Sequence, residues 1–268
     1  MKKEIQIFFA ALMFYTRIPI PKGIQFKKEY SLESVKYLPL IGLFVGGFSA
    51  VLLIFSLTIL PVSIAVIISM VSSLLITGAF HEDGLADTVD GFGGGWNKEK
   101  ILLIMKDSTI GAYGAIALIM ALMLKFQLLV ALVDLPVANG IPTHYFVLFV
   151  LLAGHSLSRV LAVSVMITHQ YARVNDDTSK LKSITPESLK WTSPAFIVAL
   201  TFALFPLFLF QTPFVFLLLF PVCLVSVLLT RFFNKWIGGY TGDCLGAIQQ
   251  ICEIIFYLSM LILWKYIW

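Results

Sequence analysis

YLPLIGLFVGGFSAVLLIFSL, running from Tyr37 to Leu57, carries no charged residue. A helix that crosses a bilayer needs about 20 consecutive apolar residues, so this stretch predicts a membrane span. Six more runs of similar character follow: Val62–Phe80, Ala112–Val133, Tyr145–Thr168, Pro194–Phe210, Pro213–Thr230 and Ala247–Trp264. The expectation is an all-α, polytopic integral membrane helix bundle of about seven transmembrane helices, forming one domain over residues 1–268. The stretch from Pro194 to Thr230 is too long for one span and is read as two, hinged at Gln211-Thr212-Pro213. Ahead of the first span, Lys2 and Lys3 precede the short apolar run Ile5 to Tyr15. No small-residue cleavage site follows it, which predicts a retained N-terminal interfacial helix.

The composition agrees. Charged residues make up 13% of the 268 positions, about half the share of a soluble domain, and the mean hydropathy is +0.93. Too few charges remain to cover a water-facing surface, so lipid is the expected solvent. The net charge of +4 is a topology signal and not a nucleic-acid one. The connections at Thr58–Pro61, Asp134–His144 and Gln211–Thr212 hold no Lys or Arg, whereas the alternate connections hold most of both. Cytoplasmic loops carry such an excess, which places the basic connections in the cytoplasm and the C-terminus outside. Of the 15 acidic residues, only Asp134 and Glu253 lie outside those basic segments, so the polar chemistry collects on one face. Cys223, Cys244 and Cys252 are odd in number and form no Cys-x-x-Cys pair, which gives neither a disulfide framework nor a zinc site.

The densest polar stretch is His81-Glu82-Asp83-Gly84-Leu85-Ala86-Asp87-Thr88-Val89-Asp90-Gly91-Phe92-Gly93-Gly94-Gly95, at the end of the second span. If the helix runs on through it, Asp83, Asp87 and Asp90 share one face at i, i+4 and i+7. Stacked carboxylates repel unless a cation neutralises them, and magnesium commonly uses a few carboxylates plus substrate phosphates. The ordinary structural alternative is a solvated acidic helix end followed by a glycine loop. A second stretch, Lys106-Asp107-Ser108-Thr109-Ile110-Gly111, leads into the third span. Asp107 offers another metal ligand there, and Ser108 or Thr109 a helix cap whose backbone N–H groups face an anion. The third, Gly238-Gly239-Tyr240-Thr241-Gly242-Asp243-Cys244-Leu245-Gly246, opens the last span and has Asp243 as its one carboxylate. Glu253 lies deeper in that helix, where an ionisable residue is a functional candidate by default. Arg159 is its expected ion-pair partner; Lys125, also inside a span, stays unassigned. His81 adjoins the acidic motif and suits a phosphate contact, an acid–base role or a structural hydrogen bond. Arg17 either holds a phosphate or anchors at the headgroups.

Carboxylates for a metal, glycine turns and basic residues together suit phosphoryl or nucleotidyl transfer at a membrane face, where metal ions neutralise a diphosphate and a spare carboxylate takes a proton from the attacking hydroxyl. These residues also carry a resemblance. His81 to Gly91, Ile104 to Gly114, Gly239 to Ala247, Thr16-Arg17-Ile18-Pro19 and Pro39-Leu40-Ile41-Gly42 resemble, in order, the motifs of the cobalamin synthase family of adenosylcobinamide-GDP ribazoletransferases. The resemblance runs from about residue 7 to residue 260. One departure is Glu82, where an apolar Leu is expected.

The resemblance implies a magnesium-dependent reaction of adenosylcobinamide-GDP with α-ribazole or its 5′-phosphate, releasing GMP. It also implies a site at the cytoplasmic face of a bacterial or archaeal cytoplasmic membrane. On this reading Asp83, Asp87 and Asp90 bind magnesium and the diphosphate, one of them acting as base, and Asp107 and Asp243 complete the metal cluster. Gly93, Gly94 and Gly242 let phosphate or nucleotide approach, while Lys106, Arg17 and His81 contact it. The partners are these two substrates and the lipid bilayer, with no nucleic acid and with a homo-oligomer left open. A membrane CDP-alcohol phosphotransferase is the nearest alternative, but no Asp-Gly-x-x-Ala-Arg string occurs. An ion-coupled transporter would place its carboxylates near the bilayer midplane, and a non-catalytic scaffold would bind no ligand through magnesium.

Overall fold

A computed structural model describes residues 2–21, 24, 30, 33–135, 141–173 and 192–267, and the secondary structure among them is helical. The N-terminal α1 (Lys2–Tyr15) precedes the first long apolar helix, α2 (Leu38–Leu57), which is entered through a 3-10 turn at Ser34–Tyr37. Pro61 then starts α3 (Val62–Thr77). Two polar-face helices follow, α4 (Phe80–Gly94) and the short α5 (Lys98–Ile104). The long α6 (Ala112–Asp134) and α7 (Thr143–Thr168) come next. After α8 (Pro194–Phe208), a 3-10 turn at Pro213–Leu218 leads into α9 (Leu219–Ile237), and α10 (Gly242–Ile267) closes the chain.

Among the described residues, five helical stretches are long and apolar enough to cross a membrane: Ser34–Leu57, Ala112–Asp134, Thr143–Thr168, Pro213–Ile237 and Gly242–Tyr266. The pair α3 and α4 adds a sixth if taken as one broken span. The seventh expected span, Pro194–Phe210, is instead the 15-residue α8. At about 1.5 Å per residue it covers roughly 22 Å, short of a typical hydrocarbon core.

The larger correction concerns α3 and α4. One helix does carry Asp83, Asp87 and Asp90, but it does not run on from the second span: the chain breaks at Gly78 and Ala79, both left-handed, with φ of 65° and 56°. The amides of Gly78 and Ala79 both close back on the Leu74 carbonyl, and α4 restarts at 86° to α3. A straight helix would have carried Glu82, Asp83, Asp87 and Asp90 on along the bilayer normal, whereas the bend lays α4 across the end of the bundle. α4 therefore departs from the direction of α3, and it touches α3 far less than it touches α10, α6 and α5.

α7 and α10 form the centre. α7 packs on α2, α8 and α10, and α10 also receives α4, α6 and α9. Gly46 of α2 sits so close to α7 that a Cβ there would lie 2.6 Å from the Leu151 carbonyl oxygen, a small-residue contact of the kind membrane helices use. Outward faces are apolar, as with Phe44, Phe48, Val51 and Phe55 on α2 and Ile116, Ile119, Met120 and Met123 on α6, which suits contact with lipid tails.

Within this apolar centre lies a charged knot. Glu253 of α10 is fully buried and bonds Lys125 of α6 at 2.6 Å. Gln249 Nε2 donates to Glu253 at 2.6 Å and the Tyr257 hydroxyl at 3.0 Å. Arg159, expected as the ion-pair partner, instead donates to the His155 carbonyl at 2.7 Å. The nearest cation therefore comes from α6, four elements earlier in the chain, and not from α7.

Two outcomes follow. Ala79→Gly removes a left-handed alanine that costs about 1 kcal/mol, so the melting temperature in lipid nanodiscs should rise by about 2–4 °C; no rise would show that the elbow is unstrained. Lys125→Met leaves Glu253 buried without its cation and should cost about 3–5 kcal/mol by denaturant unfolding in bicelles. The double variant with Glu253→Gln should recover much of that loss.

Candidate active site

α4 lies on α10 through two glycines. A Cβ on Gly84 would come within 3.0 Å of the Asp243 carbonyl oxygen and 3.2 Å of Gly246 Cα. This closeness brings the acidic face of α4 against Asp243 at the start of α10. Glu82, on the inner side, accepts from Gln250 Nε2 at 2.9 Å and so pins the same crossing one turn deeper. The position where the motif departs from an apolar residue is thus a buried anchor between the two helices.

Along α4 the three aspartates grade from open to enclosed: Asp83 is exposed, Asp87 half-buried and Asp90 buried. Burial first, then the charges of Asp243, Asp83 and Asp90, push the Asp87 carboxyl up to about 7. Arg173 acts the other way on Asp87 and bonds Asp243 Oδ2 through Nη2 at 3.0 Å. Asp83, Asp87, Asp243 and Arg173 therefore form one electrostatic unit, assembled from α4, the start of α10 and the segment after α7.

Asp90 has a different task. Gly111 N donates to its Oδ2 at 2.7 Å and Gly114 N to its Oδ1 at 2.8 Å. The anion expected at the N-terminus of α6 is this carboxylate, and Gly111 rather than Ser108 or Thr109 stands at the cap position. Asp107 also stands apart from the unit. Its Oδ1 accepts from Thr109 N at 3.0 Å and Thr109 Oγ1 at 2.7 Å, and these hydrogen bonds hold its carboxyl below the usual range. Among the described residues no three His, Cys, Asp or Glu side chains converge into a metal cage. Of the five carboxylates expected at the metal, Asp90 and Asp107 already accept hydrogen bonds from the chain itself, while Asp83, Asp87 and Asp243 act on one another through charge. Magnesium binds through one or two carboxylates plus substrate phosphates and several waters. Three hard, mutually repelling oxygen donors fit that requirement without a closed cage.

The other expected residues are spread around this unit. Gly242 opens α10 beside Asp243. The space a Cβ would take at Gly93 is filled by the Tyr113 ring at 2.7 Å, and at Gly94 by Ile104 Cδ1 at 3.2 Å. Those two glycines accommodate the chain's own side chains. Lys106 is exposed on the turn after α5. Arg17 is exposed too, its backbone N donates to the Ile76 carbonyl at 2.7 Å, and its side chain covers Gly78 at the elbow. His81 is buried and lines a mainly apolar cleft with Phe14, Tyr15, Phe80 and Met166, so its ring is turned away from the solvent-facing carboxylates.

Sequence reasoning passed over Arg173, which it counted only as a loop charge. The residue lies 70 positions from Asp243 and belongs to none of the motifs. A backbone clasp delivers it: Tyr240 N donates to the Gln170 carbonyl at 3.0 Å and Ala172 N to the Tyr240 carbonyl at 2.8 Å. The extended pairing of Tyr171 with Tyr240 ties the segment after α7 to the glycine loop ahead of α10.

Comparison with known proteins agrees with this arrangement of motifs. Residues 7–261 match the family described as Cobalamin-5-phosphate synthase. The adenosylcobinamide-GDP ribazoletransferase of Shewanella frigidimarina is 44% identical over 259 residues, covering 97% of this chain and 95% of the relative. That of Shewanella amazonensis is 42% identical over 267 residues, covering 98% of each. No solved structure matches.

The raised Asp87 carboxyl has a stability consequence. A carboxylate that is harder to charge in the fold than in the unfolded chain makes stability fall as pH rises from about 4 to about 7. Asp87→Asn removes that loss, so at pH 8 the variant should melt about 2–4 °C above wild type, with the difference vanishing below pH 4. A variant that melts lower than wild type at pH 8 would show that Asp87 is not under repulsion.

Proposed function

The chain belongs to the cobalamin-5-phosphate synthase family, and from that membership we propose that it is an adenosylcobinamide-GDP ribazoletransferase working at the polar end of its helix bundle. The observation that carries the residue assignment is the convergence of Asp83, Asp87 and Asp243 with Arg173 where α4 crosses α10.

The hydroxyl-bearing substrate is α-ribazole or its 5′-phosphate. Its ribose oxygen attacks the cobinamide-proximal phosphorus of adenosylcobinamide-GDP. A new P–O bond forms, the P–O bond to the GMP leaving group breaks, and adenosylcobalamin or its phosphate results. The attacking hydroxyl must lose a proton, and a carboxylate beside it can accept one. Asp87 takes that proton. Asp83 and Asp243, with Asp87 beside them, hold magnesium. Bound there, the ion supplies neutralisation of diphosphate charge. Asp90 keeps the N-terminus of α6 in place through Gly111 and Gly114, and so sets the far wall of the site.

Orientation follows from charge. The ends of α4, α7 and α9 and the starts of α6 and α10 meet through Asp90–Gly111, Tyr171–Tyr240 and Arg173–Asp243. Among the described residues Lys98, Lys100, Lys106, Arg173, Arg231 and Lys235 belong to this same end, and the excess of Lys and Arg in cytoplasmic loops supports a site facing the cytoplasm. An acceptor and donor made in the cytoplasm then reach it without crossing the bilayer.

The test is a transfer assay on purified protein in nanodiscs with adenosylcobinamide-GDP, α-ribazole and magnesium, with product separated by chromatography. Wild type should form product, a chelator should stop it, and Asp87→Asn should slow turnover by about 10²–10⁴-fold while inserting normally. A well-folded preparation that forms no product would sink the reading, and CDP-linked donors would then be tried.

A further inference from the structure

Arg173 sits among carboxylates, and the simplest account is a clasp: it bonds Asp243 at 3.0 Å and fastens the segment after α7 to α10. That account leaves most of the guanidinium unused. The group has five N–H donors in a planar fork, and its Nε is buried without a hydrogen-bond partner. Its side chain is 15% exposed, so the group is mostly enclosed but keeps some access from outside, and its charge reaches Asp87. An enclosed donor with no acceptor costs about 1–3 kcal/mol unless something supplies one. Among the described residues, Asp243 Oδ2 is the acceptor bonded to the guanidinium, and Asp87 acts on it through charge.

The backbone around Arg173 is fixed at both sides of the clasp. Ala172 N and Gln170 O are both bonded to Tyr240, and the Tyr171 and Tyr240 rings meet edge to face at 5.7 Å. Gly239 makes this possible. With φ of 154° it presses on the Gln170 carbonyl, and a Cβ there would collide with that oxygen. The chain leading into Arg173 is therefore tied to the loop ahead of α10 by backbone hydrogen bonds as well as by the ion pair with Asp243.

We infer that Arg173 is an anion-binding residue whose spare guanidinium donors take oxygens of a substrate diphosphate beside Asp83, Asp87 and Asp243. A fork of parallel N–H groups matches two oxygens of a phosphate, which a lysine point charge does not. Arg173 and the carboxylates divide the work: the carboxylates hold a divalent cation against one side of the diphosphate, and the guanidinium meets the oxygens that the cation leaves. Before substrate arrives, Asp243 holds the fork in position. The inference rests on the transferase reading only for which diphosphate is used; the binding of a diphosphate group as such does not depend on it.

The probe is inorganic pyrophosphate, titrated with magnesium into the full chain in nanodiscs by calorimetry. Wild type should bind it. Arg173→Lys, which keeps the charge and the bond to Asp243, should melt within about 2 °C of wild type and bind pyrophosphate about tenfold or more weakly. Arg173→Gln should bind more weakly still. A second measurement needs no variant: pyrophosphate should slow phenylglyoxal modification of Arg173 in the wild-type protein, followed by peptide mass spectrometry. Wild type that binds no pyrophosphate, variants that bind as well as wild type, or modification at an unchanged rate would each overturn the inference and leave Arg173 a clasp. Pyrophosphate binding that depends on Arg173 in a protein that transfers no ribazole would instead overturn the transferase reading alone.

Discussion

Four carboxylates follow directly on an apolar helix, and hydrocarbon will not accept them. The break at Gly78 and Ala79 resolves this conflict, and the rest of the architecture depends on it. Once α4 turns 86° from α3, its direction is no longer set by the span that precedes it. Two crossings set it instead. On α10, Gly84 meets Gly246 and Glu82 meets Gln250; on α6, Asp90 meets the amides of Gly111 and Gly114. A helix fixed at both ends by other helices presents Asp83 and Asp87 at a defined height over the bundle, something a loop of the same composition would not do.

The fold was legible where hydropathy alone decides. Apolar runs such as Tyr37–Leu57 and Tyr145–Thr168 need no tertiary information, because the bilayer imposes the same length requirement on each. Legibility ends where partners are distant. Gly78-Ala79 reads as an unremarkable pair of small residues, and nothing local announces that Arg17 will lie over it. The site follows the same rule. Asp83, Asp87 and Asp243 stand in dense motifs and could be singled out, but the motif spacing placed Asp90 among the metal ligands when its oxygens belong to the amides of α6. Asp107 reads as a further ligand from its own motif and from the resemblance, and its carboxylate accepts hydrogen bonds from Thr109 two residues on. Arg173 has no motif at all; only the clasp with Tyr240 brings it to the carboxylates.

Glycine serves three unlike purposes in the glycine-rich motifs. At Gly84 and Gly246 it brings two helix backbones together, and at Gly239 it allows a strap to close. At Gly93 and Gly94 the room it leaves is taken by Tyr113 and Ile104. A glycine string beside carboxylates therefore signals close packing around the site as much as approach by a ligand.

The charged knot at the centre constrains how the molecule is made. Lys125 enters the bilayer with α6, yet Glu253 belongs to α10, which leaves the ribosome much later. For the time it takes to synthesise more than a hundred residues, α6 holds an ammonium group with no carboxylate to meet it, and α7 brings only a further cation, Arg159. Neither helix can settle into its final packing until α10 arrives. The interior is thus completed only when α10 arrives, and the helix that carries Asp243 to the polar face is also the one that locks it.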